Sequence, residues 1–204
     1  MNRAKAEFFD AQAQAPWAAE EYGELERPKI ARLVREAELA SGQAVLEPGC
    51  GTGRLSRVLA EVVGGRGLVE ALDISAAMVA ACRSRVAAYP QVSVRHACLE
   101  EFSAPLAGFD RIICHQVFPH FDDQAAALAR MAAMLKPGGV LLVAHFISAE
   151  EINDTHRKAG TVVQHDLLPG DEEMAAMIAD TGFRLESLQD DELGYLLKAR
   201  LPTP

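Results

Sequence analysis

From residue 45 to residue 146, short apolar runs alternate with amphipathic stretches of ten or more residues, and this alternation narrows the choice of fold more than any other feature of the chain. Val45–Glu47, Leu68–Asp73, Val92–His96, Arg111–His115 and Val140–Phe146 have the length and β-branched content of strands. Gly53–Val63, Ala76–Ala88 and Gln124–Leu135, lying between them, have the spacing of helices. Strands joined through helices run parallel, and right-handed crossovers lay the helices on both faces of the sheet. Gly138–Phe146 (GGVLLVAHF) is apolar almost throughout, as suits a central strand covered on both sides. The expected architecture is α/β, a three-layer sandwich.

The C-terminal end departs from this rhythm. A helix is predicted from Asp171, closed by Gly182, and the strands Phe183–Leu188 and Leu193–Arg200 then follow across only Gln189–Glu192. So short a link cannot hold a crossover helix, so the two strands are predicted to form an antiparallel hairpin. Before the first strand, Ile30, Leu33, Val34 and Ala37 recur at helical spacing, which predicts a helix over Pro28–Leu39 packed on the core. Ser148–Gly170 is too long for a simple connection. With the helical N-terminal segment, residues 1–42 and above all 1–27, it is expected to form a lid that sets specificity. Tyr22 and Trp17 are apolar enough to close over a ligand, and Trp17 serves equally well as a packing anchor. The 204 residues suit a single domain, 1–204.

Charge and composition limit the partners. The net charge of −9 repels a polyanion at long range, and no Lys/Arg cluster offsets it, which argues against nucleic acid. No run approaches the ~18–20 apolar residues that span a bilayer, and Met1–Asp10 lacks the apolar core of a signal peptide. The cysteines at 50, 82, 98 and 114 form no C-x-x-C pair and look like reduced core or site residues. A cytoplasmic protein without membrane contact is expected; oligomeric state is left open.

The segment Val45-Leu46-Glu47-Pro48-Gly49-Cys50-Gly51-Thr52-Gly53 ends a strand in a glycine-rich turn and opens a helix. Glycines let a ligand approach the backbone, and the helix N-terminus offers free N–H groups and partial positive charge. A dinucleotide turn would require glycine where Arg54 stands, and a phosphate loop would need Gly-Lys-Ser/Thr. Glu47 would oppose a pyrophosphate but suits a cationic amino group. The pattern favours an amino-acid nucleoside such as S-adenosylmethionine. At the end of the second strand, Asp73 stands where an acid accepts both hydrogen bonds of a ribose diol.

Together with Phe109-Asp110-Arg111-Ile112-Ile113 and Leu135-Lys136-Pro137-Gly138-Gly139, these motifs resemble the class I S-adenosylmethionine-dependent methyltransferases. Phe8-Phe9-Asp10, Trp17 and Lys29-Ile30 are similar to members near the ubiquinone/menaquinone C-methyltransferase group. The resemblance spans nearly the whole chain. It implies a Rossmann-like, mostly parallel seven-stranded sheet in the order 3-2-1-4-5-7-6. It also implies that Glu47, Gly49, Cys50, Gly51 and Gly53 hold the methionine part, that Asp73 binds the ribose and that Ile74 packs on adenine. The family commonly has Asp after the third strand; here Cys98 takes that place, leaving the Leu99 N–H to meet the adenine ring. His115 corresponds to a segment that touches the methionine end.

Five of the six histidines fall between positions 115 and 165. Ligands of open α/β sheets lie beyond the carboxyl ends of the strands, where this segment begins. One reading makes His115, His120, His145 and His156 catalytic or substrate-contacting, with His120, His145, Glu151 and His156 as candidate metal ligands and Asn153 as a further polar contact. The other makes them scattered surface or hydrogen-bonded histidines, and no H-x-x-x-H or H-E-x-x-H pair sharpens the metal reading. The function expected is methyl transfer from S-adenosylmethionine to a small molecule. The alternative is a non-catalytic module that keeps the cofactor pocket for sensing or assembly.

Overall fold

A computed structural model describes residues 1–103 and 107–203. Three helices, α1 (Arg3–Gln12), α2 (Pro16–Ala19) and α3 (Arg27–Glu36), precede β1 (Ala44–Pro48). The chain continues through α4 (Arg54–Val63), β2 (Leu68–Asp73), α5 (Ala76–Arg85), β3 (Val92–His96), β4 (Phe109–His115), α6 (Gln124–Met134) and β5 (Leu135–Ala144). It ends with α7 (Ala149–Lys158), α8 (Asp171–Asp180), β6 (Arg184–Asp191) and β7 (Gly194–Arg200). The seven strands form one sheet in the order β3-β2-β1-β4-β5-β7-β6. β1 to β5 pair in parallel; β7 runs antiparallel to both β5 and β6.

Both faces of the sheet are covered, and successive strand residues feed opposite layers. Leu46, Ile112, Leu141 and Val143 face α6 and α8, meeting Leu128, Met131, Met174 and Ile178. Val45, Ile113, Leu142 and Ala144 face α3 and α4, meeting Leu33, Leu55 and Leu59. A strand buried on both sides must be apolar at consecutive positions, which is why these runs read so clearly in the sequence.

The structure differs from expectation at two ends. β6 continues to Asp191, which pairs with Gly194, so the hairpin turns on Glu192-Leu193 alone. β5 starts at Leu135 directly after α6, and its pairing with β4 shifts between Phe109 and Arg111. Gly138 absorbs this irregularity at φ +78°. Beyond Ala144 the backbone remains tied to β7, since the His145 N–H donates to the Tyr195 carbonyl at 2.9 Å.

α1 is fastened over the carboxyl ends of the strands. Asp10 accepts from the Ser75 hydroxyl at 2.5 Å and from the Ala77 N–H at 3.0 Å, which adds a second acceptor at the start of α5. Ser75 itself caps that helix through the Met78 N–H. α7 opens with a reciprocal capping box between Ser148 and Glu151.

Candidate functional site

A cleft of about 1140 Å³, counting its open mouth, lies where β1 and β4 diverge at their carboxyl ends. Its floor is the glycine turn after β1. Gly49, Gly51 and Gly53 all have positive φ. Two of them are also closed in by neighbours. A β-carbon on Gly49 would stand 2.3 Å from a Val117 methyl, and one on Gly53 would stand 2.7 Å from the Cys82 sulfur. On Gly51 it would meet nothing within 4 Å, so the turn presents bare backbone with free space above it. That is the cradle a ligand needs to reach main-chain N–H groups.

Two buried acids flank the turn. Glu47 is 2 % exposed and accepts from the Ser56 hydroxyl at 2.5 Å. Burial pushes its pKa well above the carboxylate range, and the Ser56 bond offsets this only in part. Asp73 accepts from the Gly51 N–H at 2.8 Å and the Ser75 N–H at 2.9 Å, so its carboxylate is locked to the turn. Burial raises its pKa too, against the pull of those amides. Ile74, Cys98 and Leu99 form the adjoining wall, with Cys98 and Leu99 buried.

Arg54, read from the sequence only for not being glycine, lines the cleft. Its guanidinium carbon lies 4.2 Å from the centre of the Tyr22 ring, and Nη2 donates to Glu26 at 2.9 Å. Its Nε is buried without a hydrogen-bond partner among the described residues and belongs to the lining of the cleft. A buried donor left unmet costs about 1–3 kcal/mol, which a ligand carboxylate would recover. Gln116, also in the lining, is another residue that sequence reasoning missed. It holds φ +56° without being glycine, a strained conformation at the point where β4 opens.

The structure divides the histidines. His115 lines the cleft, buried beneath Tyr22 and Phe146, and its Nε2 has no partner among the described residues. Burial, aided by Arg54, holds its pKa at about 3, so the imidazole is neutral near pH 7. His120 also lines the cleft, and its Nδ1 lies 2.9 Å from Asp166. His156 packs on His120 at 4.7 Å and donates from Nδ1 to the Asp166 carbonyl, but does not line the cleft. His145 sits apart, under Tyr195 and beside Lys29 and Arg32, buried and neutral.

The candidate metal ligands His120, His145, Glu151 and His156 are not brought together. Among the described residues no group of three or more His, Cys, Asp or Glu side chains is placed to hold a metal ion. Glu151 is committed to the Ser148 capping box, and His145 faces another pocket. Asn153 is also structural: it accepts from the Leu168 N–H at 2.7 Å and donates to the Leu168 carbonyl at 3.0 Å. That pins the loop carrying Asp166.

Residues 45–139 match the family model described as methyltransferase domain. That match spans a little under half of the chain and makes it similar to such domains. The chain is 39 % identical over 109 residues to a protein of Mycolicibacterium smegmatis named a probable S-adenosylmethionine-dependent methyltransferase, covering 53 % of this chain and 40 % of that one. It is 31 % identical over 116 residues to the ubiquinone/menaquinone biosynthesis C-methyltransferase of Coxiella burnetii, covering 55 % and 46 %. The chain thus spans about half the length, or less, of these relatives. In fold it is similar to the N-methyltransferase NodS of Bradyrhizobium japonicum, crystallised with S-adenosyl-L-homocysteine, at a TM-score of 0.74 and 18 % identity over 98 % of this chain and 99 % of that one. The matched residues 45–139 contribute the glycine turn, Asp73 and β4. The segments outside it contribute Lys5, Tyr22 and Asp166.

Proposed function

We propose that this chain is an S-adenosylmethionine-dependent methyltransferase acting on a small molecule. One observation carries the reading: three complementary groups converge on one cleft. Glu47 suits an ammonium, the unmet Nε of Arg54 suits a carboxylate, and Asp73 suits a ribose diol. Ile74 and Leu99 supply apolar faces for a purine beside Asp73. The names of the mycobacterial relative and of the NodS complex support the same ligand.

When bound, the cofactor supplies an electrophilic methyl group on a sulfonium. Alignment by the protein can account for much of the acceleration of such a displacement. The glycine turn and Asp73 fix one end of the cleft, while Tyr22, Trp17 and Phe9 from the N-terminal segment line it. A small acceptor is supported by this enclosure and by the acidic net charge, which disfavours a nucleic acid. Among the described residues no helix is long and apolar enough to cross a membrane. All four cysteines are free and buried, which supports a reducing, cytoplasmic setting.

Titration calorimetry with S-adenosylmethionine and S-adenosylhomocysteine tests the reading. Both are expected to bind, and Asp73→Ala is expected to weaken each by about 1.5–3 kcal/mol, the worth of hydrogen bonds to a charged group. No heat from either compound would overturn it. Binding with no S-adenosylhomocysteine released from any acceptor would favour the non-catalytic module instead.

A further inference from the structure

One wall of the cleft holds His120 within a network of charged side chains. His120 stands in the short 3-10 turn Phe118–His120 after β4. Its Nδ1 meets one Asp166 oxygen at 2.9 Å, and Lys5 meets the other at 2.9 Å. Lys5 is itself 5 % exposed, lies 2.8 Å from Asp122 and donates to the His120 carbonyl at 2.8 Å. The His156 N–H holds the Asp166 carbonyl, and Asn153 fixes the same loop two residues on. Burial alone would raise the Asp166 pKa, but His120 and Lys5 outweigh it and keep the carboxylate charged. Three segments distant in sequence, α1, α7 and the loop at Asp166, thus converge around one imidazole. Its Nε2 has no hydrogen-bond partner among the described residues, and the ring lines the cleft.

We propose that His120 is the general base of this enzyme, that Asp166 is its positioning residue, and that the acceptor is a small uncharged aryl molecule bearing a weakly acidic O–H or S–H. This rests on the methyl-transfer reading above. A carboxylate on Nδ1–H fixes the tautomer that leaves Nε2 free to accept a proton, the arrangement general bases use. The charge of the acceptor follows from the lining: Lys5 already faces Asp122 and Asp166, and Arg54 faces Glu26 and is assigned the cofactor carboxylate, so among the described lining residues neither cation is left for an anionic acceptor. The aryl character follows from Phe9, which meets His120 edge-on at 5.0 Å, and from Phe121, Tyr22 and Val117 in the same lining. In the step, a lone pair on the acceptor oxygen or sulfur forms the bond to the methyl carbon. The carbon–sulfur pair returns to the donor sulfur, and the acceptor proton passes to His120 Nε2. The imidazolium so formed faces Asp166 and then releases the proton to solvent.

The test uses the full chain, S-adenosylmethionine, and a series of phenols and aryl thiols of graded acidity, 4-nitrophenol among them. Wild type is expected to release S-adenosylhomocysteine with members of this series. His120→Ala is expected to lose about 10²–10⁴-fold in kcat on weakly acidic members. It should lose far less on members already ionised at the assay pH, and added imidazole should restore part of the loss. His120→Gln guards against a folding artefact, and both variants should bind S-adenosylhomocysteine as wild type does. Independently of turnover, ¹⁵N spectra should show His120 protonated at Nδ1 and bare at Nε2, with that preference lost in Asp166→Ala. A uniform loss across the series, no loss, or a proton on Nε2 in wild type would overturn the assignment. If wild type binds S-adenosylhomocysteine yet methylates no phenol or aryl thiol, this inference fails and the methyltransferase reading stands. Failure to bind either cofactor form sinks that reading itself.

Discussion

Val117 occupies the place where a β-carbon on Gly49 would have to go, 2.3 Å from that position. The loop after β4 therefore closes directly onto the glycine turn after β1, and the cleft floor is a joint between two strand ends. Gly49 also holds φ +70°, a region costly for other residues. Gly49→Ala combines a left-handed backbone penalty with overpacking, for a loss of about 2–5 kcal/mol in denaturant unfolding. Adding Val117→Ala should return the steric share but not the backbone share. If Gly49→Ala folds with wild-type stability, the joint is not as tight as the geometry says.

Arg54 differs from the other groups of the turn in what it should recognise. Its buried, unmet Nε suits the charged carboxylate of the methionine moiety better than the neutral acceptors of the nucleoside. Arg54→Leu is therefore expected to weaken S-adenosylhomocysteine by about 1.5–3 kcal/mol while leaving 5′-methylthioadenosine, which lacks the amino-acid part, nearly unchanged. Equal losses for the two ligands in calorimetry would mean that Arg54 acts only by packing on Tyr22 and holding Glu26. Arg54→Lys should not rescue, because the ammonium cannot present the planar donor edge.

Much of this architecture was legible because it rests on local patterns. Strands buried on both faces leave unbroken apolar runs, and Gly182 marks a helix end in the sequence itself. The glycine turn with Glu47 and Asp73 was readable for the same reason: its chemistry lies on two adjacent strand ends. The histidines were not, because their fates depend on closure of distant segments. His120 and His145 look alike in the sequence, yet one meets Asp166 from a loop 46 residues away and the other turns beneath Tyr195. Lys5 gave no signal at all; only the docking of α1 makes it the partner of Asp122 and Asp166. Arg54 was visible but was weighed only against a glycine.

His115 couples the cleft to acid stability. Its native pKa, about 3, lies below its ordinary value of 6.5, because burial disfavours the imidazolium. Below pH 6.5 the unfolded chain takes up a proton that the native state refuses, so this residue's share of stability is lost as pH falls from about 6.5 towards 3. His115→Gln removes that titration. In urea unfolding at pH 7 and pH 5, wild type should lose more stability on acidification than the variant. Identical pH slopes would show that His115 is solvated rather than buried.

Glu47 predicts the opposite sign. Its pKa is raised by burial above the ordinary 4.5, so the native state keeps a proton that the unfolded chain has released. Stability from this group is complete below about pH 4.5 and falls as pH climbs through the raised value. An ammonium arriving at Glu47 reverses the balance, because the ion pair favours the carboxylate. Cofactor binding should therefore expel up to about one proton wherever free Glu47 is protonated, and affinity should rise with pH across that range. Calorimetry in buffers of different ionisation enthalpy measures the release directly. Glu47→Gln should abolish it and flatten both profiles. A wild-type protein that binds the cofactor with no proton exchanged at any pH between 5 and 8 would remove Glu47 as the acid facing the ammonium, whatever the affinity.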